Sequence, residues 1–256
     1  MVFEVEVFKV FLLVMVRFSG MVVSAPILGS RNFPAIAKVG LVALSAILIT
    51  PTVPALDAPL PDDPAAFALL AAGDLLIGLM MGFTMTLVFA AIQVAGQLLD
   101  MLTGFAMMNV FNPALETQVP IFGFFLYVIA VLYLLVLNGH HMMIKAMVAS
   151  FEGIPLGGFV LNPALLREVS TWGSVMFYDG LMIAAPVAAA LLLAYVTMGL
   201  LSRLVPQIHL FVVGFPLTIA MGLILVALSM SVYMNLLDGM FVRMFRDVHT
   251  VVRAMS

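Results

Sequence analysis

Between Asp74 and Asp100 the chain runs from Leu75 to Leu99 without one charged side chain. As an α-helix those residues extend about 37 Å, at ~1.5 Å per residue, which exceeds the ~30 Å hydrocarbon core of a bilayer. Ile121–Leu137, Gly180–Ser202 and Leu210–Leu237 are further uncharged runs. Of the 256 residues, 64% are hydrophobic and 9% are charged. A globular domain carries about 45–50% apolar and about 25% charged residues, so a larger soluble core cannot absorb the difference. The chain is expected to be an all-α integral membrane protein with about six long apolar segments. Helices are the expected form because a span must satisfy its own backbone.

The first candidate span is Val10–Leu28, interrupted by Arg17 and bent near Pro26. A charge inside a span is costly and faces protein, water or a snorkelling path. Glu4 and Glu6 precede Lys9, and Ser24-Ala25-Pro26 is a poor cleavage site, so the segment does not read as a cleaved signal. Val39–Val53 is shorter and suits one arm of a bent hairpin as well as a full span. The acidic, proline-rich Pro51–Pro64 reads as a turn in water. Ala65–Leu99 follows as one long helix, where Gly78 and Gly82 sit four apart, a spacing that lets two helix backbones approach. After Ile121–Leu137 and the Asn138-Gly139-His140-His141 corner comes an amphiphilic piece, Met142–Phe151. The stretch from Glu152 to Gly173 reads as a loop in which Asn162-Pro163 caps a short helix with Arg167 and Glu168. Pro186 and Pro216 predict kinks within the last two runs. The tail from Asp238, with Arg243, Arg246 and Arg253, has the character of an interfacial helix.

Gly104–Pro120 belongs to neither of its apolar neighbours. Asn112-Pro113 breaks any helix there, yet Phe105, Met107, Met108 and Phe111 have no reason to face water. Broken apolar backbone at membrane depth is tolerated where it is buried in protein or lines a cavity. The loop therefore reads as the plug or lining of a passage, with Gly104 and Pro113 as its hinges. Met is deformable and re-packs around variable partners, and that favours a soft seal at Met107-Met108 over mere filler.

Other chemistry finds little to stand on. The net charge of −3 offers no basic footprint for nucleic acid, and the chain contains no Cys. His140-His141 are adjacent and point apart on a helix, and a metal site needs three or four ligands, so no metal is expected. No phosphate loop and no nucleophilic triad is present, so neither a cofactor nor an enzyme is expected. Asp74, Asp100 and Asp179 stand at or inside the edges of apolar runs, as an ion-coupled carrier would place them. Counting positive charges raises a conflict: Arg31, Lys38 and Arg203 face the cytoplasm only if the arginine-rich tail does not, or if the chain is not a simple bundle of crossings.

Four pieces in order carry a resemblance. They are Arg17 with Pro26, Ala95-Gly96-Gln97-Leu98-Leu99-Asp100 through Gly104, and Asn112-Pro113 with Leu137-Asn138-Gly139-His140-His141. The fourth is Arg203-Leu204-Val205-Pro206-Gln207 followed by Val213-Gly214-Phe215-Pro216-Leu217. Together they resemble the FliR/SctT type III export-gate family along essentially the whole chain. The resemblance implies bent helical hairpins, a FliP-like portion at 1–173, a FliQ-like hairpin at 174–237 and an amphipathic basic tail at 238–256. It implies assembly with FliP, FliQ, FlhB and FlhA-type components in the bacterial inner membrane, serving unfolded flagellar export substrates. It sets the plug at Gly104–Pro120, with the cytoplasmic hairpin turn at Arg203, Pro206 and Gln207. Members often carry aromatics in the first half of that loop, where this chain has Met107 and Met108. The flagellar branch is favoured over the injectisome (SctT) branch.

Overall fold

The computed structural model describes residues 2–30, 33–54, 59–106, 120–160, 162–204 and 210–255. Among them the regular structure is helical throughout. Helix α1 spans Val2–Ser24, α2 Ala35–Ile49 with a 3-10 turn at Thr50–Thr52, and α3 Pro64–Thr103. Helix α4 spans Ile121–Val136, α5 Gly139–Gly153, α6 Pro163–Leu204 and α7 Leu210–Ala254. Five of these helices are long and apolar enough to cross a membrane, and the pair α4 and α5, bent by 67°, makes a sixth candidate. The chain is an all-α integral membrane protein.

Local chemistry sets the boundaries. Asp63 caps α3, its Oδ2 accepting from Ala66 N at 2.9 Å, and Pro64 stands at the first helical position, where its missing N–H costs nothing. No proline interrupts the following residues, so α3 continues for 40 residues, about 60 Å at ~1.5 Å each. It stops at Gly104, whose φ of +90° is open to glycine and closes the last turn. Helix α1 ends at Ser24, just before Pro26. Asn138 adopts a left-handed conformation at φ 57°, which asparagine tolerates, and this makes the α4–α5 corner.

Two stretches differ from the sequence expectation. The segment after Asn162-Pro163 is the first turns of α6, which continues unbroken to Leu204. Arg167, Glu168 and Thr171 lower its apolarity without breaking it, and a Cβ at Gly173 would meet nothing within 4 Å. Polarity alone does not end a helix. Likewise the tail from Asp238 continues α7 to Ala254, and Phe241, Met244, Val248, Val251 and Val252 form a buried stripe at helical spacing. Both helices also continue past Pro186 and Pro216.

By contacts the chain divides into two units. The first comprises Met1–Val88, Leu134–Gly173 and Phe241–Ser256. In it α1 lies against α3 at backbone distance: a Cβ added to Gly78 would stand 1.9 Å from the Arg17 carbonyl oxygen, and one on Gly82 2.0 Å from Ser24 Oγ. Ser24 Oγ donates to the Leu79 carbonyl at 3.1 Å across the same contact. The tail joins this unit, with Val160 N donating to the Met255 carbonyl at 3.2 Å. At the rim, Lys9 Nζ reaches Asp62 Oδ1 at 2.6 Å and the Pro61 carbonyl at 3.1 Å.

That rim contact carries a modest prediction. The hydrogen bond from Lys9, helped by its charge, holds the Asp62 carboxyl below its ordinary value of 3.8. A carboxyl lowered in the folded state adds stability above its unfolded pKa and loses it as pH falls through the folded one. Because the Asp62 side chain is 98% exposed, solvent screens most of the effect. Asp62→Asn is expected to leave the thermal midpoint at neutral pH nearly unchanged, with any difference from the parent closing as pH falls through and below 3.8. Midpoints measured across that range check it.

The second unit comprises Phe89–Tyr133 and Ser174–Met240. Here the second half of α3 meets α4 so closely that a Cβ on Gly96 would fall 2.0 Å from the Gly123 Cα. Tyr233 Oη donates to the Leu126 carbonyl at 2.8 Å, and Phe89 meets Tyr127 edge-on at 5.6 Å between centroids. The outward faces of α6 and α7 are apolar: Phe177, Leu193, Leu200, Ile224 and Leu228 are all exposed. Such a surface suits lipid or protein partners.

Candidate functional site

The charges inside the apolar helices are the natural starting point. In the first unit Arg17 of α1 and Asp74 of α3 are fully buried and form an ion pair. Arg17 Nε donates to Asp74 Oδ1 at 2.8 Å, and Nη2 contacts the same oxygen. The remaining donors are also used: Nη1 reaches the Ile154 carbonyl at 2.9 Å and Nη2 the Pro155 carbonyl at 3.2 Å. The guanidinium lies 4.4 Å from the centroid of the Phe151 ring, within cation–π range. Asp74 Oδ2 in turn accepts from Gly157 N at 3.3 Å. Gly157 has a φ of +74° at the third position of a turn closed by Gly158 N and the Pro155 carbonyl, as a type II turn requires. One arginine and one aspartate thus fasten the end of α5 and the following turn to α1 and α3.

Asp100 is used differently. It lies at the end of α3, is 4% exposed, and its carboxylate faces the start of α4. Oδ1 accepts from Phe122 N at 3.1 Å and Oδ2 from Gly123 N at 3.4 Å. The first amides of a helix have no partner within it, and the helix dipole favours an anion there. Asp179 is buried on α6. Asp74 and Asp100 are therefore held by partners within the chain, and both are buried.

Around Asp100 the two stems of the 104–120 loop converge. The ring of Phe105 meets that of Phe122 edge-on at 5.6 Å. Thr218 Oγ1 of α7 donates to the Thr103 carbonyl at 3.0 Å, and Tyr195 Oη of α6 donates to the Leu102 carbonyl at 2.6 Å. A Cβ on Gly104 would stand 2.6 Å from the Phe215 ring, and one on Gly222 2.3 Å from Thr103 Cγ2. The described residues on either side of 107–119 thus stand close together in the second unit, those at the end of α3 held by both long C-terminal helices.

Of the residues singled out by sequence, Gly104 and Phe105 stand in this stem. Met107, Met108, Phe111, Asn112 and Pro113 lie outside the described residues, as do Pro206 and Gln207 of the hairpin turn. Arg203 is exposed in the last turn of α6. Arg17, Gly78 and Gly82 meet at the α1–α3 crossing, Pro26 follows the end of α1, and Pro216 is exposed in α7. His140 and His141 sit in the first turn of α5 with ring centroids 4.1 Å apart. Among the described residues no group of three His, Cys, Asp or Glu is placed to hold a metal ion.

The sequence reading missed two connections. Arg17 finds its partner 57 residues away, and Asp100 serves amides 22 and 23 residues away. The available signal was that each is a lone charge bordering apolar sequence and so must find a partner.

The chain is similar to known proteins along most of its length. The family described as bacterial export proteins, family 1, matches residues 8–244. The flagellar biosynthetic protein FliR of Escherichia coli (strain K12) is 34% identical over 239 residues, covering 93% of this chain and 90% of its own length. The flagellar biosynthetic protein FliR of Bacillus subtilis (strain 168) is 32% identical over 246 residues, covering 93% and 92%. That of Pectobacterium carotovorum is 29% identical over 241 residues, covering 94% and 92%. With the family match extending from the first helix into the last, and relatives above 30% identity along about nine-tenths of both chains, this chain belongs to the bacterial export proteins, family 1, the family of FliR.

Proposed function

We propose that the chain is a core subunit of the flagellar type III protein export gate, in the bacterial inner membrane at the flagellar basal body. With FliP and FliQ it forms a passage for unfolded export substrates, joined by FlhB and FlhA-type components. The 104–120 loop closes that passage at rest. Residues 1–173 act as the FliP-like portion, 174–237 as the FliQ-like hairpin with its cytoplasmic turn at Arg203, Pro206 and Gln207, and 238–256 as the tail. Family membership supports the export role, and the stem geometry supports the plug. An apolar loop whose two ends meet in one place can cover an opening while its base stays put.

The chain works as a valve part, and the driving energy comes from other components. The carrier alternative is weakened at two of its three candidates: Asp74 is neutralised by Arg17, and Asp100 accepts from the amides of α4. Opening requires the loop to move away while the helices hold, as lids do elsewhere.

The first test is composition. A tagged chain drawn from its native membrane in mild detergent is expected to bring several small apolar proteins in one large complex; a lone monomer argues against the gate. The second test is closure. Deleting Met107–Phe111 is expected to raise the resting ion conductance of cells well above that of the intact gate while the complex still assembles. Unchanged conductance in an assembled deletion variant rejects the plug.

A further inference from the structure

We infer that α6 and α7 carry a hinge at Gly173 and Gly239, on which the two units turn while export proceeds. The hinge itself goes beyond the function proposed above; only its use in export rests on that reading.

Four helices pass from one unit to the other without a break. The crossings fall between Val88 and Phe89 in α3, Tyr133 and Leu134 in α4, Gly173 and Ser174 in α6, and Met240 and Phe241 in α7. Any turn of one unit against the other must therefore bend helices. Glycine weakens a helix interior relative to alanine by roughly a factor of five in equilibrium constant, so it stands there for packing or for pliancy. Packing accounts for Gly20, Gly78, Gly82, Gly96 and Gly180, where an added Cβ would lie within 3.0 Å of a neighbour. A Cβ on Gly173 or Gly239 would meet nothing within 4 Å, and both glycines lie at or next to a crossing. Gly40 and Gly199 are equally open but lie well inside one unit each.

The surroundings of each glycine fit a joint. In α6, Thr171 Oγ1 donates to the Arg167 carbonyl at 3.0 Å, a back-bond that loosens the helix ladder, and Gly173-Ser174 is the kind of pair at which helices bend. Trp172 before it and Asp179, Ile183 and Ala184 after it are buried, so the pliant point lies between held stretches. In α7, Leu237 is buried and Asp238 accepts from Tyr133 Oη on one side of Gly239, while Phe241 and Met244 are buried on the other. The remaining crossings also lie near relieved backbone. In α3, Thr84 Oγ1 donates to the Met80 carbonyl at 2.9 Å, and α4 gives way soon after its crossing to the left-handed Asn138. Hinges are a few residues, often small, that absorb a change of backbone angle between rigid parts.

The test uses the full chain as extracted from its membrane in mild detergent. The chain has no Cys, so Leu69→Cys in the first unit and Leu193→Cys in the second, both exposed, take a pair of spin labels. The parent is expected to give a broader distance distribution than the pair Met101→Cys and Leu228→Cys, which lies within the second unit. The double variant Gly173→Ala/Gly239→Ala is expected to cut the share of the bent population about fivefold or more, and secretion of an export substrate per assembled complex by a similar factor. Gly199→Ala is expected to change neither. A parent distribution as narrow as the within-unit pair, or one that the double variant leaves unchanged, overturns the hinge. Loss of assembled complex with unchanged distances means that the open space receives a partner chain, and the inference falls. Narrowed distances with undiminished secretion overturn the role in export. A chain that joins no complex overturns the function proposed above, and the label distances still decide the hinge.

Discussion

Exchanging Arg17 for methionine is expected to destabilise the first unit by about 3–5 kcal/mol, the usual cost of leaving one member of a buried ion pair without its partner. The reason lies in what the guanidinium holds at once. It neutralises Asp74, donates to the Ile154 and Pro155 carbonyls, and lies against Phe151. Removing it strands a carboxylate and the Ile154 carbonyl in a buried place, and takes from the Pro155 carbonyl one of its two donors, the other being Gly158 N. Asp74→Leu is expected to cost a similar amount, since the arginine then loses its counter-charge. The double variant Arg17→Met/Asp74→Leu should recover a large part of the loss, because a pair replaced by apolar groups leaves no charge stranded. Recovery is incomplete, for the Ile154 carbonyl still lacks its donor. Thermal unfolding of the four purified forms in detergent, with their steady-state amounts in the membrane, gives the cycle directly. A single Arg17→Met variant as stable as the parent, or a double variant worse than the sum of the singles, would show that the pair is not what holds the unit together.

The second large effect is steric. Gly78→Leu is expected to cost roughly 3 kcal/mol or more, at or beyond the upper end of ordinary overpacking. The first added carbon alone would lie 1.9 Å from the Arg17 carbonyl oxygen and 2.9 Å from Met21 N. Both are backbone atoms, so no side chain can turn aside. The helices must part, and parting them pulls Arg17 from Asp74. Gly78→Leu and Arg17→Met should therefore be strongly non-additive. The control is within the same chain: a Cβ at Gly199 would meet nothing within 4 Å, and Gly199→Ala is expected to be neutral or to stabilise by up to about 1 kcal/mol through helix propensity. If Gly78→Leu and Gly199→Ala unfold at the same temperature, the α1–α3 contact is not tight in the membrane.

The positions of the membrane helices could be read from sequence because hydrocarbon excludes charge. Asp74 and Asp100 bracket an uncharged run inside α3, and Asp63, Pro64 and Gly104 mark its ends by capping chemistry that acts over a few residues. The α4–α5 corner was equally local, since Asn138-Gly139 is a pair suited to unusual backbone. Reading failed where composition changed but the backbone did not. Arg167 and Glu168 read as a short capped helix within a loop and Asp238 onward as a separate interfacial helix, yet nothing there breaks the backbone, so α6 and α7 continue through. The site was harder. Gly104 and Phe105 can be picked out because a broken apolar segment is conspicuous. That Asp100 accepts from the first amides of α4, or that Arg17 meets Asp74, depends on contacts across 22 and 57 residues. No local pattern encodes such distances.

The make-up of the first unit has a consequence for how the protein is made. Residues up to Val88 emerge from the ribosome before any of the second unit, but the piece Phe241–Ser256 emerges after all of it. Met244, Val248 and Val251 are buried only once that piece arrives, and Gly153 and Val252 come into close contact only then. Arg17 thus enters the membrane ahead of Asp74, and the unit that pairs them stays open on one side until the second unit has been made. Domains generally fold N-terminal first as they are made. Here the unit begun before the other is sealed only after it, so biogenesis must tolerate an unfinished membrane core while the second unit is made.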